Sequence, residues 1–459
     1  MRKVSIAWMA AAGAILLSLA LGCAPAAQGP QESEGEAVAF DQLLANLDAL
    51  GASPARAALA ASTIPKPNGS PFTAPELQSY LSGLKVDLAG LVAAKTGGRP
   101  YLVLPVRLQA GGQSGLMWVP VSLGRRLSCP VIAFQHGTQT YWASAPSRFD
   151  LNPLSILSSF DVSGAFQNYV ECTTAALMAS AGYIVVMADY PGFGSSRAPH
   201  PYVNLVLGSS VQTMLLRAQA ILAGPLASAR PNGRLYLIGY SEGGFATLAA
   251  AKALQESGVA VTAAVPCAGS YDMSGAEIAD ILSGRPALEP FYAPYTLYGY
   301  ASVYASLDPG VWDFAAVLQP PLAGLMPALF SGNETVAMIN AQLPGDIPRS
   351  FLSPGLLAEL SVPTGRVYER LRETTVFLGW APRMLVQLIQ CPEDDLVPPA
   401  NTLAAKAAWA ALPNVLEPIW VPPVPLPAAL SGALDIHTRA FPTAMLAGFG
   451  FIAGVEARF

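Results

Sequence analysis

The chain has 459 residues, 52% of them hydrophobic and only 12% charged, with a mean hydropathy of +0.41. This excludes a disordered chain, a coiled coil or a fibrous repeat and demands a large core, in one domain with insertions or in two. Twenty-five basic against thirty acidic side chains give a net charge of −5, so no electrostatic footprint for nucleic acid is present.

Arg2 and Lys3 precede an uncharged apolar run from Val4 to Gly22, the pattern of a secretory signal peptide. Residues 1–22 are therefore expected to direct export. The run ends in Leu19-Ala20-Leu21-Gly22-Cys23, which resembles a bacterial lipobox with Ala20 in place of the favoured Leu. That resemblance implies a lipidated Cys23 and a protein held at the cell envelope, with Ala24 pointing to an outer membrane; the alternatives are an ordinary cleaved signal or an uncleaved anchor. Residues 24–36 read as a flexible tether and 37–51 as a helix, so 23–85 form a tether and N-terminal helical segment. Beyond Cys23 four cysteines remain, Cys129, Cys172, Cys267 and Cys391. An even set in an oxidising compartment allows three pairings and selects none, and buried free thiols are the other reading.

From Leu102 onward the apolar period becomes that of strands. Runs at Leu102–Leu108, Leu116–Val121, Val131–Phe134, Tyr183–Ala188, Leu235–Ile238, Val261–Val265, Met384–Ile389 and Leu416–Val421 are separated by helical stretches at Phe166–Ala181, Ser210–Leu222, Glu242–Glu256 and Thr402–Leu412. The later runs are continuously apolar, as strands covered on both faces are. Strand–helix alternation predicts an α/β fold, a doubly wound and mostly parallel sheet. Residues 276–375 break the rhythm with prolines and six aromatics between Phe291 and Tyr304. They are read as an inserted lid that divides the core into 86–275 and 376–459. The aromatics either shape an apolar acyl pocket, which the position of the insertion favours, or fasten the insertion to the sheet.

Chemistry enters at Gly239-Tyr240-Ser241-Glu242-Gly243-Gly244, a Gly-x-Ser-x-Gly string between a buried strand and an Ala-rich helix. The glycines leave room for a sharp turn that pushes the Ser241 hydroxyl out at a helix N-terminus. Such a serine needs a base, and there are only three histidines: His136, His200 and His437. In the order serine, acid, histidine only His437 follows the elbow. The acid then falls in Glu393-Asp394-Asp395-Leu396-Val397-Pro398, after a late strand, where position leaves Asp394 and Asp395 both open and Asp272 an outside candidate.

These strings, with Gln135-His136-Gly137-Thr138 and Asp189-Tyr190-Pro191-Gly192-Phe193-Gly194, resemble the α/β-hydrolase superfamily and within it the secreted lipases and esterases. The resemblance runs over residues 100–459, with 276–375 matching only as a lid position. It implies Ser241 as nucleophile, His437 as base, Asp394 as acid through its Asp-x-x-Val-Pro context, and the N–H groups of Glu242 and Thr138 as the oxyanion site. His136 then marks the oxyanion loop rather than a base, and Asp189 is structural. The expected reaction is carboxylic ester hydrolysis through an acyl-enzyme, with no cofactor and no metal. The same triad also serves a peptidase, an amidase or an acyltransferase, and a fold that has lost its chemistry would be a binding module. Substrate, acyl-chain length and oligomeric state stay open.

Overall fold

The computed structural model describes residues 100–459 apart from 123, 153–155, 157, 158, 226 and 425–434. The signal segment, Cys23, the tether and the helix expected at 37–51 lie outside the described residues.

The chain opens with a hairpin of β1 (Leu102–Ala110) and β2 (Gln113–Val121), whose turn is made by Gly111 and Gly112, both at positive φ. Then follow β3 (Leu127–Gln135), α1 (Val162–Ser180), β4 (Ile184–Ala188), α2 (Leu207–Leu222), β5 (Ala229–Tyr240), α3 (Glu242–Glu256) and β6 (Ala263–Cys267). The insertion carries α4 (Ala276–Leu282), α5 (Tyr292–Tyr304), α6 (Phe314–Val317), α7 (Leu322–Leu325), α8 (Val336–Gln342), α9 (Pro354–Ser361) and α10 (Gly365–Thr374). The core resumes with β7 (Leu385–Val386), β8 (Ile389–Gln390), α11 (Ala400–Ala408), β9 (Ile419–Trp420) and α12 (Ile436–Glu456).

The strands form one sheet in the order β1-β2-β4-β3-β5-β6-β8-β9, with β7 paired to β6. From β4 to β9 every pairing is parallel, and only β1–β2 and β2–β4 are antiparallel. Residues alternate between two cores as the pleat requires. Ala133, Val186 and Leu237 face one core, which α2 and α3 cover. Ile132, Phe134, Val185, Tyr236 and Ile238 face the other, covered by α1 and α12. This is the doubly wound sheet that the continuous apolar runs predict.

Two elements differ from the sequence reading. The run Met384–Ile389 is interrupted, because Gln387 turns its amide to the carbonyls of Leu388 and Glu417, so two short strands replace one. The chain beyond Asp435 is a helix of 21 residues that no expectation covered. Asp435 caps it by accepting from the Thr438 N–H. At its far end Glu456 takes two hydrogen bonds of 2.6 Å from Arg234 of β5 and one of 2.8 Å from the Tyr236 hydroxyl. In between, Gly448 lets the helix lie directly on the sheet, since a Cβ there would meet Ile238 Cδ1 at 2.8 Å.

Among the described residues no helix is long and apolar enough to cross a membrane. Among the described residues Cys172, Cys267 and Cys391 are buried free thiols, and Cys129 is buried too. Burial pushes the Cys391 thiol up to about 12 and raises those of Cys172 and Cys267 as well.

Candidate active site

Ser241 sits between β5, at the centre of the sheet, and α3, with φ 61° and ψ −125°. A residue with a Cβ adopts such a backbone only under compulsion, at about 1–3 kcal/mol. The compulsion is packing. A Cβ on Gly243 would lie 2.1 Å from the Gln135 carbonyl oxygen, and one on Gly244 2.2 Å from that of Cys267. The Ser241 N–H donates to the Cys267 carbonyl at 3.0 Å, which ties the elbow to β6.

His437 occupies the first turn of α12, whose start the two adjacent acids organise differently. Its Nδ1–H donates to Asp394 Oδ2 at 2.7 Å. Asp394 is held in turn by Gln390 Nε2 at 3.0 Å and by the N–H groups of Leu396 and Val397 at 3.1 and 2.8 Å. Asp395 instead accepts the backbone N–H groups of Ile436 and His437, both at 3.1 Å. One acid therefore holds the ring and the other the backbone beneath it. Asp272 caps α4 through the Ala276 N–H at 3.0 Å and takes no part.

The other face of the His437 ring packs on Tyr240, centroids 4.7 Å apart, and the Tyr240 hydroxyl donates to the His437 carbonyl at 2.7 Å. Tyr240 is the neighbour of Ser241, so the ring is brought to the elbow. His437 Nε2 is buried without a hydrogen-bond partner. In unliganded enzymes catalytic hydrogen bonds are often not yet closed. Burial works to lower the basicity of His437, but the charge and hydrogen bond of Asp394, helped by Asp435 and Asp395, outweigh it and hold the imidazole above its ordinary value.

Opposite the elbow lies Gln135-His136-Gly137-Thr138, at the end of β3. The Gly137 N–H is taken by Glu171 Oε1 of α1 at 2.8 Å, so it is not free for a substrate. Thr138 follows, buried, its hydroxyl 3.2 Å from that of Tyr202. His136 is sealed inside, each ring nitrogen facing a backbone carbonyl, of Gly137 at 2.8 Å and of Asp189 at 3.2 Å. Asp189 braces the loop after β4 by accepting from the Ser114 hydroxyl and from the Ser147 N–H.

A pocket opens on Ser241 and Glu242 and runs beneath the insertion. Aliphatic side chains of Leu352, Leu356, Leu360, Val367 and Leu371 line its inner part, and Asp395, Leu396 and Val397 bring the acid-bearing loop to its edge. Of the six aromatics, five are buried in the core and only Tyr292 lines this pocket. Tyr295 stacks on Tyr202 and Phe330, and its hydroxyl donates to the Gln139 carbonyl at 2.9 Å. Tyr300 pairs its hydroxyl with that of Thr374. The reading of these rings as the wall of an acyl pocket is thus corrected. Consecutive helical turns put them on the face that packs against the core, and leucines from α9 and α10 line the cavity instead.

Sequence reasoning did not find Glu171, Gln390 or the pairing of His200 with Glu242. Glu171 and His200 are lone polar residues whose partners lie dozens of positions away, and Gln390 lies four residues before Asp394 with no motif of its own; only His200, one of three histidines, carried any signal.

Comparison with known proteins follows the same lines. The sheet and its flanking helices are shared with a hydrolase from Legionella pneumophila, 24% identical with a TM-score of 0.61 over 80% of this chain and 94% of that one. They are shared too with the rice cell wall degrading esterase LipA from Xanthomonas oryzae, at 20% identity and a TM-score of 0.60 over 78% and 92%. The class is therefore the α/β-hydrolase fold. Residues 160–269, from α1 through the elbow to β6, match the Secretory lipase family. The segment that carries the elbow is thus similar to that family, and the match and the fold together support a carboxylic ester hydrolase. No curated protein sequence matches the chain.

Proposed function

We propose that the protein hydrolyses carboxylic esters through an acyl-enzyme on Ser241. The observation that carries this is the buried His437, oriented by Asp394 at 2.7 Å and left with an unoccupied Nε2 beside the strained elbow. Nε2 takes the Ser241 proton as Oγ attacks the ester carbonyl. The oxyanion is received by the N–H of Glu242, at the start of α3 where helical N–H groups have no internal partner, and by that of Thr138. The imidazolium, steadied by Asp394, returns the proton to the leaving alcohol. Water repeats the sequence on the acyl-enzyme. The pocket under residues 276–375, acting as a lid, takes the acyl chain, each buried methylene contributing at most about 0.8 kcal/mol.

The segment matched to a secretory family and the signal-like residues 1–22 support export, with lipidation of Cys23 as the means of retention. Hydrolysis of p-nitrophenyl esters from acetate to palmitate, compared with an aminoacyl anilide and with transfer to an added alcohol, tests the reaction. Fluorophosphonate attachment to Ser241 tests the nucleophile. A chain that takes no label and cleaves no ester is a binding module.

A further inference from the structure

Glu242 and His200 form a buried pair that this scheme leaves unused. Glu242 follows Ser241, and its N–H is the one assigned to the oxyanion. The residue is 2% exposed. Oε1 lies 2.6 Å from His200 Nε2, and Oε2 has no partner. His200 is 3% exposed, its Nδ1–H donating to the Pro191 carbonyl at 2.8 Å. The ring is wedged between Phe193 and Tyr295, with centroids at 4.6 and 5.7 Å. Since Nδ1 is committed as a donor, Nε2 either donates to a carboxylate or accepts from a carboxylic acid. In both arrangements the pair is neutral in sum.

That neutrality matters because of where the pair stands. A lone carboxylate one residue from the nucleophile, in a water-poor site, would repel the negative charge that forms on the substrate oxygen. Two apolar side chains would fill the same space with less desolvation, so packing alone does not account for an acid and a histidine here. The geometry points to His200 as a positioning residue for the reaction: it fixes Glu242 and cancels its charge, so that the oxyanion can form at the Glu242 N–H. This rests on Ser241 being the nucleophile of an ester hydrolase.

The test is p-nitrophenyl butyrate hydrolysis by His200→Gln and by His200→Gln combined with Glu242→Gln. A neutral amide cannot cancel the carboxylate, so the single variant should lose on the order of 10²-fold in kcat with KM nearly constant, as when an oxyanion donor is lost. Removing the charge as well should recover about tenfold or more. His200→Asn, which keeps a donor for the Pro191 carbonyl, replaces His200→Gln should the latter not fold. A double variant no faster than the single one, a loss confined to KM, or a single variant as fast as the natural chain overturns the assignment. A natural chain without esterase activity or Ser241 labelling refutes the hydrolase reading instead.

Discussion

Ser241 is held in a backbone conformation that a side chain disfavours, and nothing but a glycine-lined turn wedged between β3 and β6 could hold it there. The hydroxyl is thereby fixed at the turn, as the mechanism we propose requires. Ser241→Ala and His437→Ala should each lower kcat/KM for p-nitrophenyl butyrate by about 10³-fold or more while the melting temperature stays within a few degrees, because the three residues act as a unit. A tenth of the activity surviving in either variant removes the mechanism. Asp394 and Asp395 touch different parts of His437, so their substitutions should separate. Asp394→Asn loses the carboxylate that fixes the tautomer and should cost more in kcat than Asp395→Asn. Because the imidazole is held above its ordinary value of about 6.5, activity should fall with decreasing pH through a midpoint above that value. Asp395→Asn removes one of the charges that hold it up and should move the midpoint down. An acid limb that stays put in this variant assigns the titration to another group. The proposed nucleophile and the candidate acids were legible in the sequence because each stands in a short string, and the proposed base because only one of three histidines follows the elbow. Which acid faces Nδ1 was not, since a shift of one residue separates them.

The elements that carry these residues are fixed by close approach more than by propensity. At the elbow, α3 begins so near β3 that Gly243→Ala should destabilise the chain by about 3 kcal/mol or more in urea unfolding, its Cβ meeting backbone rather than a movable side chain. Helix α12 was invisible to sequence reasoning because its Pro442 and its glycines read as breakers. Tertiary contacts rescue it, chiefly the Glu456 clamp on Arg234 and Tyr236. Glu456→Ala leaves a half-buried arginine without its carboxylate and should lower stability by about 2–4 kcal/mol. In the insertion, Phe291→Ala and Tyr298→Ala should reduce acetate and octanoate ester hydrolysis alike, since these rings are packing. Leu356→Ala and Leu360→Ala, in the pocket lining, should change the ratio of the two. A ratio that moves instead with Phe291 and Tyr298 would return the acyl pocket to the aromatics.

At the scale of the whole molecule, the sheet was legible because strands covered on both faces leave unbroken apolar runs. The antiparallel β1–β2 edge was read only as two strands, for short runs carry no sign of direction. The N-terminal residues carry a charged start, an apolar run of signal length, and Cys23 before a polar stretch from Ala24 to Glu36. As the tether we propose, thirteen residues would reach at most about 45 Å when extended, enough to hold a folded hydrolase clear of a membrane surface while keeping it near lipid esters. One acyl chain binds a membrane only weakly, and stable anchoring takes more than one. A lipidated Cys23 with several chains should therefore place the full-length protein in the detergent phase of a Triton X-114 partition, with radiolabelled palmitate incorporated. Cys23→Ser should shift it to the aqueous phase without label. Its kcat/KM on a soluble short-chain ester should match the natural chain's, because Cys23 precedes the first described strand by more than seventy residues. Turnover of an ester embedded in vesicles should fall, since only the tether concentrates the enzyme there. Label that survives Cys23→Ser moves the attachment elsewhere. A soluble-ester rate that falls with it would show that the N-terminal segment belongs to the catalytic body rather than to its leash.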